Sequence, residues 1–162
     1  MNKKKKEISQ VIPVFRFILL SIVTAGIYQI VWMYKQWVFF KKKDNLDIMP
    51  FWRAIFSVLF IFALSERISG LEKKNEQRKI FLVVVLPIIW IVLCYSQRLP
   101  DPYWLIAYLN VVPLIFTLLR MNKYWKKKEK KTIPKSFNWW QIILIIIGAL
   151  FFIMIVWGSF LP

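Results

Sequence analysis

Histidine is absent from this 162-residue chain, and cysteine occurs once, at Cys94. No intrachain disulfide can form, and neither a Cys/His metal cluster nor a histidine-centred catalytic constellation can be built. Cys94 lies inside an apolar block, where a thiol behaves as a small hydrophobe. Acidic residues are also scarce. Glu7, Asp44, Asp47, Glu66, Glu72, Glu76, Asp101 and Glu129 are the full set, and none falls near the centre of a long apolar block. Proton-coupled carriers place ionisable groups there, so a proton pump is not expected; Glu66 reads as a helix-end residue beside Arg67. No Ala-x-Ala cleavage site, lipobox cysteine or CaaX ending is present.

What the chain has in quantity is apolar side chain: 59% of residues are hydrophobic, with nine Trp and fourteen Phe. A soluble domain is roughly 45–50% apolar. The blocks near 17–34, 80–96, 103–119 and 139–160 are nearly uncharged, and about 20 helical residues cross the ~30 Å hydrocarbon core of a bilayer. None of them carries the polar outer face that a helix of a soluble bundle needs. The fold class is therefore all-α, a multi-pass helical membrane protein. The basic start "MNKKKKEISQVIPVF" precedes an apolar run longer than a signal-peptide core, so an uncleaved signal anchor is expected.

The net charge is +16, and the lysines and arginines cluster between the apolar blocks, at the level of lipid headgroups. This pattern sets topology and does not imply nucleic-acid binding. The connector 120–135 holds eight Lys or Arg, the connector 67–79 holds five, and the turn 97–102 holds only Arg98. Short basic loops stay cytoplasmic, so the turn faces out, the connectors face in and the C-terminus lies outside. For the first half, two spanning segments (17–34 and 51–67) put 18 basic residues inside and six outside. A single span at 17–34 gives the same split, and no span at all leaves only Arg98 outside. Charge alone favours the last arrangement, whereas the length of 17–34 favours a span. About five membrane helices are expected, N-in and C-out. Residues 1–79 form an N-terminal membrane region, residues 80–162 hold three further helices, and the location is the cytoplasmic membrane of a bacterium.

Arg53, in "PFWRAIF", interrupts segment 51–67. Its uncharged core, Ala54 to Leu64, is 11 residues long. An arginine near an interface snorkels, its stem among acyl chains and its guanidinium among phosphates. On a helix Arg53, Ala54, Ser57, Ile61 and Ser65 share one small, slightly polar face suited to packing on another helix. The alternative role for Arg53 is an anionic lipid headgroup or an ion pair with Asp44 or Asp47.

The stretch "GIYQIVWMYKQW", followed by "PFWRAIF", resembles a family of bacterial integral-membrane proteins catalogued as a domain of unknown function. Its members carry motifs like "GLYxxYWFYKNW" and "(F/V)xRAIF". The matching residues are Gly26, Tyr28, Trp32, Tyr34, Lys35 and Trp37, then Arg53, Ala54, Ile55 and Phe56. Val31, Met33 and Gln36 depart from the pattern. The resemblance covers about residues 11–70 and implies a membrane location without a known activity.

Three further features bear on function. Pro87 and Pro113 lie near the middles of consecutive apolar blocks, in the matching contexts "VLPIIW" and "VVPLIF", and proline-broken helices in corresponding positions can mark a transport site. Asp44 and Asp47 are close enough for a carboxylate pair, which with Arg53 is the weakest form of a lipid-headgroup enzyme. The polybasic run contributes Lys123, Lys126, Lys127, Lys128, Lys130 and Lys131, suited to anionic lipid. The expected partners are the membrane and anionic lipids, with a membrane-protein partner or a second copy of the chain also possible. No cofactor, metal or catalytic residue is assigned. The expected role is a non-catalytic accessory component; the alternative is a transporter or channel subunit using the Pro87/Pro113 hairpin.

Overall fold

The computed structural model describes residues 11–71, 76–129 and 139–159. Among them the regular elements are all helical: α1 (Val14–Val23), α2 (Ile27–Lys43), α3 (Pro50–Ile55), α4 (Ser57–Ser69), α5 (Glu76–Ile80), α6 (Leu86–Tyr95), α7 (Val111–Glu129) and α8 (Trp139–Ser159). A π-helical turn, Phe81–Val85, joins α5 to α6, and a 3₁₀ segment, Tyr103–Asn110, leads into α7. The expectations for Lys3 to Lys6, Lys130, Lys131 and Lys135 fall outside the described residues.

Two continuous helical stretches, Gln77–Arg98 and Tyr103–Lys128, are long and apolar enough to cross a membrane. Only 22% of the apolar window of the first is buried within the protein, whereas the core helix of a soluble domain would be mostly covered. Its exposed residues include Ile80, Phe81, Val84, Ile88 and Val92. A continuous exposed apolar surface of this kind marks a membrane- or protein-interaction surface. The second stretch extends past the expected boundary at Leu119: α7 continues to Glu129, because no proline or glycine interrupts "RMNKYWKKKE". Helix α8 has 21 residues, or about 31 Å of helix.

The block 17–34 is not one rod. Helix α1 ends at Val23, and Ala25 and Gly26 take the left-handed conformation (φ 48° and 90°). The Gly26 N–H donates to the Ser21 carbonyl at 2.8 Å. Thr24 secures both sides of the turn: its hydroxyl donates to the Leu20 carbonyl at 2.7 Å and accepts from the Tyr28 N–H at 3.0 Å. The chain then folds back, so that Phe17 meets Tyr28 and Trp32, with ring centroids 6.0 and 5.5 Å apart.

The ends of this α1–α2 hairpin return to the same end of α7. The Asn122 side chain holds the backbone of Ile12 by two hydrogen bonds, Ile12 N–H to Oδ1 at 3.0 Å and Nδ2 to the Ile12 carbonyl at 2.6 Å. Phe39, near the end of α2, lies against Tyr124 and Trp125 at 5.7 and 4.7 Å.

Segment 51–67 is likewise broken, at Phe56, into α3 and α4. Its expected packing face is buried at Ala54, Ser57, Ile61 and Ser65. The Arg67 guanidinium near the end of α4 returns to Asp44, just past α2, at 3.0 Å. The core runs between these hairpins and α7, through Phe17, Leu20, Trp32, Trp37, Leu114 and Leu118.

Candidate functional site

Arg53 does not pair with either nearby aspartate. Its guanidinium carbon lies 4.7 Å from the centroid of the buried Trp37 ring and 5.0 Å from that of Phe60. Asp44 is held by Arg67 at 3.0 Å and Lys43 at 3.3 Å, and Asp47 is exposed. The reason is the break at Phe56: the short α3 lies along α2 and turns Arg53 onto aromatic faces, where a planar cation is attracted by the ring quadrupole. The Asp44/Asp47/Arg53 cluster required for headgroup chemistry is therefore not assembled. Among the described residues no group of three or more His, Cys, Asp or Glu could hold a metal ion.

The residues of the family-like motif have separable structural roles. Gly26 makes the turn, Tyr28 and Trp32 pack on Phe17, and Trp37 receives Arg53. Tyr34 and Lys35 are exposed. In the second part Ala54 is buried, whereas Ile55 and Phe56 are exposed.

The two prolines bracket a buried polar cluster. Pro87 follows the π-helical turn, whose wider backbone relieves the clash of a proline ring with the carbonyl four residues earlier. Pro113 follows the tight 3₁₀ segment, which ends on Asn110. One turn from each proline the side chains meet. Gln29 Nε2 donates to Asn110 Oδ1 at 2.6 Å, and the Trp90 indole N–H donates to Gln29 Oε1 at 3.1 Å. Asn110 Nδ2 approaches Cys94 Sγ at 3.5 Å. Gln29 and Asn110 are 3% and 6% exposed, so each needs these bonds to offset desolvation.

Beside the cluster lies a cavity of about 270 Å³ between the tip of the α1–α2 hairpin and the turn end of the α6–α7 hairpin. Polar lining comes from Ser21, Gln29, Gln97, Trp104, Tyr108 and Asn110. Sequence reasoning assigned none of these residues to a site. The available signal was Gln29 itself, an amide in the middle of an apolar block, where a polar group is costly without a partner.

At the opposite end the basic residues gather. Lys41, Lys42 and Lys43 occupy the last turn of α2, and Lys126, Lys127 and Lys128 that of α7; Phe39 packs between the two helix ends. Lys43 lies over Phe40 at 5.8 Å and Lys128 over Tyr124 at 5.5 Å, and Lys123 is exposed on the same stretch.

Comparison with known protein families, curated proteins and solved structures gives no match. The family resemblance rests on the motif residues alone.

Proposed function

We propose that this chain is a small integral protein of a bacterial cytoplasmic membrane, acting without a catalytic centre as an accessory component that holds its basic face on the anionic inner leaflet. The observation that carries this reading is the packing of Phe39 on Tyr124 and Trp125, which joins the lysine-bearing ends of α2 and α7. Lysines close to an anionic leaflet gain on the order of 1 kcal/mol each.

The topology in this proposal has three spans, with α1–α2 and α3–α4 as two hairpins that enter and leave on the cytoplasmic side. From Asn122 back to Asn110 is about 18 Å along α7, so the tip of the first hairpin lies about halfway through the ~30 Å core. Irregular backbone at that depth is tolerated where protein surrounds it or a cavity adjoins it. Of the 24 basic residues only Arg98 is then outside, leaving 23 inside, the distribution that charge favours. Arg53 enters the membrane by one turn of α3, close enough to the surface to snorkel.

Cysteine accessibility tests the arrangement. In a Cys94→Ala background, single cysteines replace Lys42, Gln97 or Lys128, and intact cells are treated with a membrane-impermeant thiol reagent. Labelling at 97 alone is expected. Labelling at 42 as well would restore two spans before residue 80 and remove the shared basic face.

A second reading, a transporter or channel subunit, is favoured by the Gln29–Trp90–Asn110 cluster between the Pro87 and Pro113 distortions. Its test is solute flux in proteoliposomes, with Asn110→Leu expected to abolish any flux seen.

A further inference from the structure

The cavity at the hairpin tip has the chemistry of a ligand site. No lining residue carries a charge. The start of α2, which points toward it, is no anion site either, because the Thr24 hydroxyl and backbone carbonyls already accept the first N–H groups. What remains is neutral hydrogen-bonding capacity. Gln29 uses one N–H and one acceptor position of the four its amide offers. Ser21, 2% exposed, has its hydroxyl buried with no partner among the described residues. A buried hydroxyl left unpaired is costly, and this one belongs to a residue of the cavity wall. The aromatic rings of Trp104 and Tyr108, with centroids 5.9 Å apart, form another part of that wall.

We propose that this cavity binds an uncharged, hydroxyl-bearing group about the size of one sugar ring. Mixed donors and acceptors from the Gln29, Asn110 and Gln97 amides suit hydroxyls, each of which both donates and accepts. The aromatic faces suit the C–H faces of a ring. A volume of about 270 Å³ lies just below the ~300–1,000 Å³ of typical small-molecule sites and suits one ring-sized group. The group could belong to a free sugar or to the headgroup of a neutral glycolipid; the chemistry at the site is the same. Exposed Gln97 at the rim marks the entrance. This proposal does not depend on the side of the membrane to which the cavity opens.

The test uses the full chain in phosphatidylglycerol nanodiscs, reachable from both faces. Free glucose is followed by saturation-transfer NMR, and monoglucosyldiacylglycerol doped into the discs is followed by native mass spectrometry. Glucose binding identifies a soluble ligand, and glycolipid retention without glucose binding identifies a headgroup. In either case Asn110→Leu and Gln97→Leu are expected to weaken binding about tenfold, the loss of one hydrogen bond; Phe116→Leu, on an exposed side chain of α7, leaves it unchanged. Gln97 is exposed, so its variant carries the test if Asn110→Leu does not fold. If neither probe binds, the proposal is overturned, as it is by binding that Gln97→Leu leaves at full strength. Because the discs expose both faces, a failure here is independent of the cysteine-labelling result.

Discussion

Arg53 and Trp37 form the contact that unites the two parts of the N-terminal motif, the guanidinium carbon lying 4.7 Å from the ring centroid. Trp37 is 1% exposed, and its edge also meets Phe60, at 6.5 Å between centroids. The arginine therefore lies against two aromatic rings, Trp37 and Phe60. An apolar residue would pack there but would lack the quadrupole attraction. A lysine would keep the charge and lose the planar stacking.

A double-mutant cycle on Arg53→Leu and Trp37→Leu should give a coupling energy of about 1 kcal/mol, within the ~0.5–2 kcal/mol of cation–π pairs. Reversible unfolding in mixed micelles reads it. Arg53→Lys should fall between wild type and Arg53→Leu. A coupling of zero would leave Arg53 as a headgroup anchor alone.

Asn122 anchors the other end of the first hairpin. Asn122→Leu leaves both the N–H and the carbonyl of Ile12 without their partner, at about 1–3 kcal/mol for each buried group. Asn122→Asp keeps an acceptor for the Ile12 N–H but sets a buried carboxylate oxygen against the Ile12 carbonyl, so a loss at least as large is expected. The first sign should be protease cleavage ahead of α1 in the Leu variant, appearing before global unfolding.

The two apolar helical stretches long enough to cross a membrane were legible from apolar length alone, and so was the packing face at Ala54, Ser57, Ile61 and Ser65, because that face follows from helical periodicity. The breaks were harder to read. Thr24, Ala25 and Gly26 stood out as small residues, yet length and hydropathy count them as part of a span. What they do depends on the Thr24 hydroxyl bonding both helices and on Phe17 finding Trp32 across the turn. Pairings such as Asn122 with Ile12, 110 residues apart, leave no trace in local pattern. Arg53 was visible as an anomaly, but its partner Trp37 was not, since an aspartate seemed the natural counter-charge. The cavity is built by three separated parts of the chain, residues 21–29, Gln97 and 104–110, and the sequence assigned none of them to a site.

The turn itself gives an opposed pair of expectations. A Cβ at Gly26 would meet nothing within 4 Å, so Gly26→Ala should cost about 1–2 kcal/mol through backbone strain only. Ala25 is left-handed with its Cβ in place (φ 48°). Ala25→Gly relieves that strain but gains entropy in the unfolded chain, so its net effect should stay within about 0.5 kcal/mol of zero. Thermal unfolding of both variants in one detergent checks the contrast. Equal losses would mean that the turn is not left-handed at these residues.

Gly148 tests how α8 is held. Helices α1 and α8 pack where Gly148 faces Val23, and a Cβ added at Gly148 would collide with both the Val23 side chain and its carbonyl oxygen. Small residues at membrane-helix crossings allow backbones to approach in this way. Gly148→Ala should therefore loosen α8 from the bundle, and Gly148→Leu should do so further. The measurement is crosslinking between single cysteines at Leu19 and Ile145 in the Cys94→Ala background, which should weaken stepwise along the series. Val23→Ala in the Gly148→Ala chain should restore only part of the signal, because it removes the side-chain clash and leaves the carbonyl. Full restoration would place the obstacle in the Val23 side chain alone, and an unchanged signal in Gly148→Leu would mean that α8 does not pack on α1 through this face.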